Sequence, residues 1–296
     1  MGNILIKQFY KQRKDFEDSC VGRDAGLTFP EGVICSTDIA YADDGIKAHM
    51  LDIYRPEDSQ EKNLPVIINV HGGGLIIGNK EFNRYFCALL CKKGFLVYSI
   101  EYRLIPDCLM YDQISDVFMA MDYIKERLAA DGGDLSHVYM AGDSGGACLI
   151  TYANAIQNST NIARAANVTP SGLRINALGL ISGMFYTSRF DKIGLFLPKY
   201  LYGRDYKKTS FAKYVNPENR ELLNSLAPVW LVTSHNDFLR RYTTDFEKAL
   251  TRAEREHELV AFPKNKKLTH AFSVFEPFLS ESSEVIDMMV EYFRKF

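Results

Sequence analysis

Residues 138–150 read VYMAGDSGGACLI, an apolar β-rich run that passes through a serine set among small residues into an apolar run of helical character. Gly142-Asp143-Ser144-Gly145-Gly146 fits the pattern G-x-S-x-G, in which small residues two before and two after the serine let a strand and a helix pass closely. In such a turn the serine backbone takes an unfavourable conformation that lifts its oxygen clear of the sheet. The first amides of the following helix then point to the same place, with the positive end of the helix dipole behind them. A glycine-rich turn used for packing or phosphate binding would share the pentapeptide. The serine therefore needs partners elsewhere in the chain before it can be read as a nucleophile.

The rest of the chain supplies a setting for that turn. Apolar β-rich runs at 33–42, 47–56, 65–70, 95–100, 138–142, 175–182, 229–234 and 258–263 alternate with helical patterns. The helical runs are Phe82 to Lys93, Asp112 to Ala130, Gly145 to Asn158, Tyr242 to Glu256 and Ser283 to Phe296. Alternation of this kind predicts an α/β fold, a mostly parallel eight-stranded twisted sheet with helices on both faces. The first two strands, separated by Asp43-Asp44-Gly45, read as an antiparallel pair joined through an Asp-Gly hairpin signal.

A serine hydroxyl needs a base within hydrogen-bonding reach, and the base needs an orienting acid. In folds of this class both follow the serine, on loops after later strands, in the order Ser, Asp or Glu, His. His49, His71 and His137 precede Ser144, His257 sits where a helix hands over to a strand, and His235 directly precedes the best acid candidate. That leaves His270, in the loop KNKKLTHAF after the last apolar strand. Asp237 follows the strand VWLVTS, whereas Asp245 falls inside a helix and reads as a solvated charge. Asp237 would fix the tautomer of His270 and stabilise the imidazolium formed during attack. The stretch PVIINVHGGGLIIG adds His71-Gly72-Gly73-Gly74 directly after a buried strand, where residues without side chains let backbone amides approach an oxyanion. His71 is read as a structural residue that holds the loop's shape.

Composition narrows the classes of function. The chain has 296 residues, 47% of them hydrophobic, with Lys plus Arg at 35 against Asp plus Glu at 37. A formal charge of −2 offers no excess of cations for phosphates, so nucleic acid is not an expected partner. No apolar segment approaches the roughly 20 residues needed to cross a bilayer, and no membrane partner is expected. The six cysteines show no paired metal spacing, so no metal is expected, and reduced thiols in a cytoplasmic protein are the simplest reading.

Between residues 183 and 226 the alternation breaks, and nine aromatic residues fall in the thirty positions from Phe185 to Tyr214. This stretch reads as a helical insertion over one end of the sheet. Phe185, Tyr186, Phe196 and Tyr200 are its candidate substrate contacts, although such rings also serve a small core of their own.

These blocks together resemble the hormone-sensitive-lipase-like branch of the α/β-hydrolases, the bacterial HGGG carboxylesterases. HGGG and GDSGG match its two signatures, and EYRLIPD, DVFMAMDYIKE, HNDFLRR and THAF match further blocks in order, from about residue 33 to the end. The resemblance implies Ser144, Asp237 and His270 as a catalytic triad, with Gly73, Gly74 and the amide of Gly145 as the oxyanion hole. It implies a cap built from residues 1–30, with Ile4, Leu5, Ile6, Phe9 and Tyr10 on an amphipathic helix, and from the 183–226 insertion. Residues 31–182 and 227–296 would form the catalytic domain. The expected activity is hydrolysis of short- to medium-chain or small-molecule esters without cofactor, and a homodimer is one assembly open to the chain, dimers being common in that family. Gly145 stands where the family has alanine, Arg241 in place of a second aspartate, and Ala271 in place of the glycine after the histidine. These departures bear on substrate preference and leave the triad intact. A serine peptidase or amidase could use the same groups, and a non-catalytic ligand-binding relative would be expected to lack one of them.

Overall fold

The computed structural model describes residues 2–58 and 63–296. Eight strands form one sheet: β1 (Val33–Ala40), β2 (Met50–Pro56), β3 (Leu64–Val70), β4 (Leu96–Ile100), β5 (Gly133–Asp143), β6 (Leu178–Ile181), β7 (Val229–Ser234) and β8 (His257–Phe262). Their order is β1-β2-β4-β3-β5-β6-β7-β8, with β1 and β2 antiparallel to their neighbours and β3 to β8 parallel. The helices are α1 (Gly2–Asp24), α2 (Arg84–Cys91), α3 (Met110–Arg127), α4 (Ser144–Asn158), α5 (Thr160–Ala166), α6 (Lys192–Phe196), α7 (Pro198–Leu201), α8 (Arg220–Asn224), α9 (Arg240–Arg252), α10 (Phe272–Phe275) and α11 (Ser280–Phe293).

Why the central strands read as unbroken apolar runs is plain from the two cores. Along β3, β4 and β5 successive side chains point to opposite faces. Val66, Ile68, Leu96, Tyr98, Val138 and Met140 pack with α3 and α4 on one face. Ile67, Val97 and Tyr139 pack with α2 and α11 on the other. Strands covered on both sides have no polar face to show. After β3 the chain crosses to β4 on one side and returns to β5 on the other, so the loops following β3 and β5 diverge at a switch point. Open α/β sheets bind ligands at such points, beyond the carboxyl ends of the strands.

Two local expectations are corrected. β1 and β2 pair antiparallel as expected, but residues 41–49 join them as a longer connection than Asp43-Asp44-Gly45, in which the Asp44 carboxylate accepts the Ile46 amide at 3.0 Å and lies 2.7 Å from His49 Nδ1. The helix after the serine ends at Asn158 as expected, where Ser159 accepts the Ile162 amide at 3.3 Å and starts the separate helix α5. Of the 175–182 run, only Leu178–Ile181 pairs as strand. Of the expected N-terminal segment 1–30, residues 2–24 form α1, residues 25–30 follow it without regular structure, and residue 1 lies outside the described residues. The 183–226 stretch holds α6, α7, α8 and two short 3-10 turns.

Candidate active site

The serine sits where β5 becomes α4. Ser144 has φ 49°, a left-handed value that costs a non-glycine residue of order 1–3 kcal/mol and persists only where its surroundings enforce it. What enforces it is crowding between strand and helix: a methyl group on Gly146 would lie 2.1 Å from the Val70 carbonyl oxygen of the neighbouring strand. Only residues without a side chain fit there.

The glycine loop after β3 faces the same point. Gly73 and Gly74 have φ values of 102° and 62°, and among the described residues their amides donate to no protein acceptor. A Cβ on Gly145 would lie 2.8 Å from the Leu75 nitrogen and 2.9 Å from that of Gly74, so the start of α4 and the glycine loop are in close backbone contact. Unpaired amides of such a loop, with the first turn of a helix beside them, suit a developing oxyanion.

Asp143 and His71 brace this arrangement. Asp143 Oδ1 accepts the Gly72 amide at 3.0 Å and the Asn83 amide group at 2.9 Å. Burial pushes the Asp143 carboxyl up from its usual range, opposed by the Asn83 hydrogen bond and by His71 and His270. His71 is fully buried and stacks on Tyr102 at 4.3 Å. Its Nδ1 meets the Gly72 carbonyl at 2.9 Å and its Nε2 meets Glu101 at 3.0 Å. Burial alone would lower its basicity, yet the Glu101 carboxylate holds it above the usual histidine value.

Asp237 and His270, the expected acid and base, meet across two loops. His270 Nδ1 lies 2.7 Å from Asp237 Oδ1, which also accepts the Leu239 amide at 2.8 Å, while Asp237 Oδ2 accepts the Thr233 hydroxyl at 2.9 Å. Burial pushes the Asp237 carboxyl up, but the His270 hydrogen bond and charge, the Leu239 amide and Ser182 outweigh it and hold the group below the usual carboxylate range. Ala271 has φ 49° and its amide donates to the Ser182 hydroxyl at 3.1 Å. A left-handed residue here accounts for the glycine usual at this position in the family that the sequence resembles. The Phe238 ring packs on the imidazole at 4.3 Å. Ser144 and His270 form no hydrogen bond to each other among the described residues, but both line one cavity of about 990 Å³.

That cavity is mainly apolar. Gly73, Gly74, Ser144 and His270 form its floor, while Leu5, Phe9 and Phe16 of α1 and Ile193, Phe196 and Leu197 of the 183–226 stretch form walls. Of the four aromatic residues expected to contact substrate, only Phe196 lines it. Phe185 stacks on Phe246 at 4.2 Å, and the Tyr186 hydroxyl donates to Glu218 while its ring packs on Tyr242. Tyr200 packs edge-on against Phe9 at 5.3 Å, behind the cavity wall. Composition singles out a stretch that contributes to the cavity wall but does not give the direction of each ring. His235 lies outside the cavity beside Arg240, and Asp245 pairs with Arg189 at 2.9 Å.

Asp143, Asn83, Ser182 and Thr233 are supporting residues that sequence reasoning missed. Asp143 is inside the serine motif, yet nothing in a pentapeptide shows that its side chain turns back to the glycine loop. The other three lie on separate segments, and only the fold assembles them.

Comparison with known proteins agrees with this architecture. A family model described as the alpha/beta hydrolase fold matches residues 67–273. A probable isoprenylcysteine alpha-carbonyl methylesterase of Oryza sativa subsp. japonica is 29% identical over 184 residues, covering 58% of this chain and 44% of its own length. The tuliposide A-converting enzyme b1 of Tulipa gesneriana is 30% identical over 131 residues, covering 40% of this chain and 35% of its own. The chain thus spans less than half the length of these curated relatives. Among solved structures, esterase B from Lactobacillus rhamnosis with a C4-C4 SN3 tributyrin phosphonate superposes with a TM-score of 0.93 at 23% identity, over 100% of this chain and 96% of the other. The esterase of Pyrobaculum calidifontis gives 0.72 at 21% identity, over 97% and 93%. With the family model spanning most of the chain and the strand order, serine turn and glycine loop in place, the protein belongs to the α/β-hydrolase-fold family.

Proposed function

We propose that the protein is a carboxylic ester hydrolase acting through an acyl-enzyme on Ser144. The observation that carries this reading is the 2.7 Å contact of His270 with Asp237 beside a strained serine facing the same cavity. His270 takes the proton of the Ser144 hydroxyl as it attacks the ester carbonyl, forming the C–O bond of a tetrahedral intermediate. The negative oxygen is held by the amides of Gly73, Gly74 and Gly145. Collapse expels the alcohol with the proton from His270, leaving the acyl group on Ser144. Water, deprotonated by His270, then attacks the acyl carbonyl, and the acid departs as the Ser144 hydroxyl is restored. The chain's own groups supply nucleophile, base and oxyanion donors, the substrate supplies the electrophilic carbonyl, and the reaction as written uses no cofactor.

α1 and residues 183–226 act as a cap in this reading, enclosing an apolar space suited to short or medium acyl or alcohol groups. The names of the methylesterase relative and of the esterase structures support an ester over an amide as substrate. The six free thiols support a reducing compartment. Among the described residues no helix is long and apolar enough to cross a membrane. The test is turnover of p-nitrophenyl butyrate by the wild type and Ser144→Ala: the reading expects activity in the first and its loss in the second. Equal turnover by both would overturn it.

A further inference from the structure

One arginine on α1 reaches beyond the cavity wall. Leu5, Gln8, Phe9, Gln12 and Phe16 lie on one stripe of the helix and face the cavity. Arg13 lies beside that stripe, and its guanidinium, with only 18% of the side chain exposed, makes four contacts across two loops. Nε donates to the Ile76 carbonyl at 2.8 Å, and Nη2 donates to the Leu104 and Ile105 carbonyls at 3.0 and 2.6 Å. Nη1 pairs with Asp107 at 2.7 Å, and the Tyr10 hydroxyl donates to the same carboxylate.

Ile76 belongs to the turn that closes the glycine loop. The amides of Ile76 and Ile77 both donate to the Gly73 carbonyl, at 3.1 and 3.0 Å. One residue earlier, the Leu75 carbonyl accepts the Ile105 amide at 3.0 Å and Gln113 Nε2 at 3.0 Å. Arg13 therefore joins the segment bearing Gly73 and Gly74 to the segment 104–107 that supports it.

We propose that Arg13 is a positioning residue for the oxyanion loop, so that α1 sets the placement of the Gly73 and Gly74 amides as well as walling the cavity. This rests on the reading of the site as ester-hydrolysing. An ion pair with the half-exposed Asp107 alone would do little more than fasten a surface helix. The three charge-assisted bonds to backbone carbonyls do more, because they restrain main chain whose donors act only within a few tenths of an ångström of the correct place.

The experiment measures kcat and KM for p-nitrophenyl acetate and hexanoate, with thermal melting, on the wild type, Arg13→Ala, Arg13→Lys and Asp107→Asn. Acetate is too small to depend on the α1 wall. Arg13→Ala is expected to lower kcat about tenfold on both esters, less than deletion of an oxyanion donor, with KM within about twofold. Arg13→Lys, which cannot span three carbonyls, recovers no more than about threefold of that loss, whereas Asp107→Asn, which leaves the carbonyl bonds in place, keeps kcat within about twofold. An Arg13→Ala protein with wild-type kcat on acetate overturns the proposal, as does an equal loss in Asp107→Asn. Should Arg13→Ala fail to fold, Arg13→Lys against Asp107→Asn applies the same criterion. A wild type that turns over neither ester overturns the underlying reading instead.

Discussion

The carboxylate of Asp143 accepts the Gly72 amide at 3.0 Å, and this bond joins the serine turn to the glycine loop. Two segments from different strands thereby behave as one piece, which matters in the proposed mechanism because Ser144 and the Gly73 and Gly74 amides must keep a fixed distance. Asp143→Ala would leave the buried Gly72 amide without its acceptor, at about 1–3 kcal/mol, and the Asn83 amide group with only the longer bond to Asn69 at 3.4 Å. The expected result is a lowered melting temperature together with a kcat reduced about tenfold or more, since misplaced oxyanion donors lose transition-state contacts. Activity unchanged in a destabilised variant would show that the loop holds its place without Asp143.

Gly145→Ala tests the closeness of helix and loop. Although alanine is usual here in the family that the sequence resembles, a methyl group would press on the Leu75 and Gly74 nitrogens at 2.8 and 2.9 Å. The loop must shift, so kcat on p-nitrophenyl butyrate is expected to fall about tenfold or more, with a stability loss of about 1–3 kcal/mol. A fully active variant would mean that the loop tolerates the displacement.

Asp237→Asn probes the acid in two ways. Without the carboxylate the His270 ring loses its orienting charge, and kcat is expected to fall by about 10³–10⁴. The Asp237 carboxyl is held below its ordinary range when folded, so the unfolded chain binds the proton more readily. Its contribution to stability is present above the unfolded value, near pH 4, and is lost as pH falls through the lower folded value. Urea unfolding at stepped pH is therefore expected to show a shallower loss of stability below about pH 4 in Asp237→Asn than in the wild type. Parallel curves would contradict the assignment.

The aromatic residues separate into two groups by experiment. Phe196→Ala, on the cavity wall, is expected to change the ratio of hexanoate to acetate turnover while leaving the melting temperature close to the wild type. Phe185→Ala, in a ring 1% exposed against Phe246, is expected to cost about 3–5 kcal/mol in stability and to leave that ratio unchanged. The reverse pattern would mean the cavity is not where substrate binds.

Much of this was legible in the sequence, because the signals are local. The serine turn shows in five residues, the glycine loop in four, and the strands in apolar runs that coverage on both faces requires. Chain order then selects Asp237 and His270, which the fold brings to 2.7 Å across 33 residues. What stayed hidden depends on direction and distance. Nothing in Phe185 or Tyr186 says which way a ring turns, and what reads as an Asp-Gly hairpin is closed by the longer connection 41–49. Arg13 reads as one more charge on an exposed helix until Ile76 and Leu104, some 63 and 91 residues away, are seen to lie beneath it.

The claim on which the account depends is that Ser144 is the nucleophile. The most direct measurement is incubation with a fluorophosphonate followed by intact mass and peptide mapping. A single adduct on the peptide containing Ser144, absent from Ser144→Ala, is the predicted result. An adduct on another residue, or labelling that persists at the wild-type rate in Ser144→Ala, would contradict it.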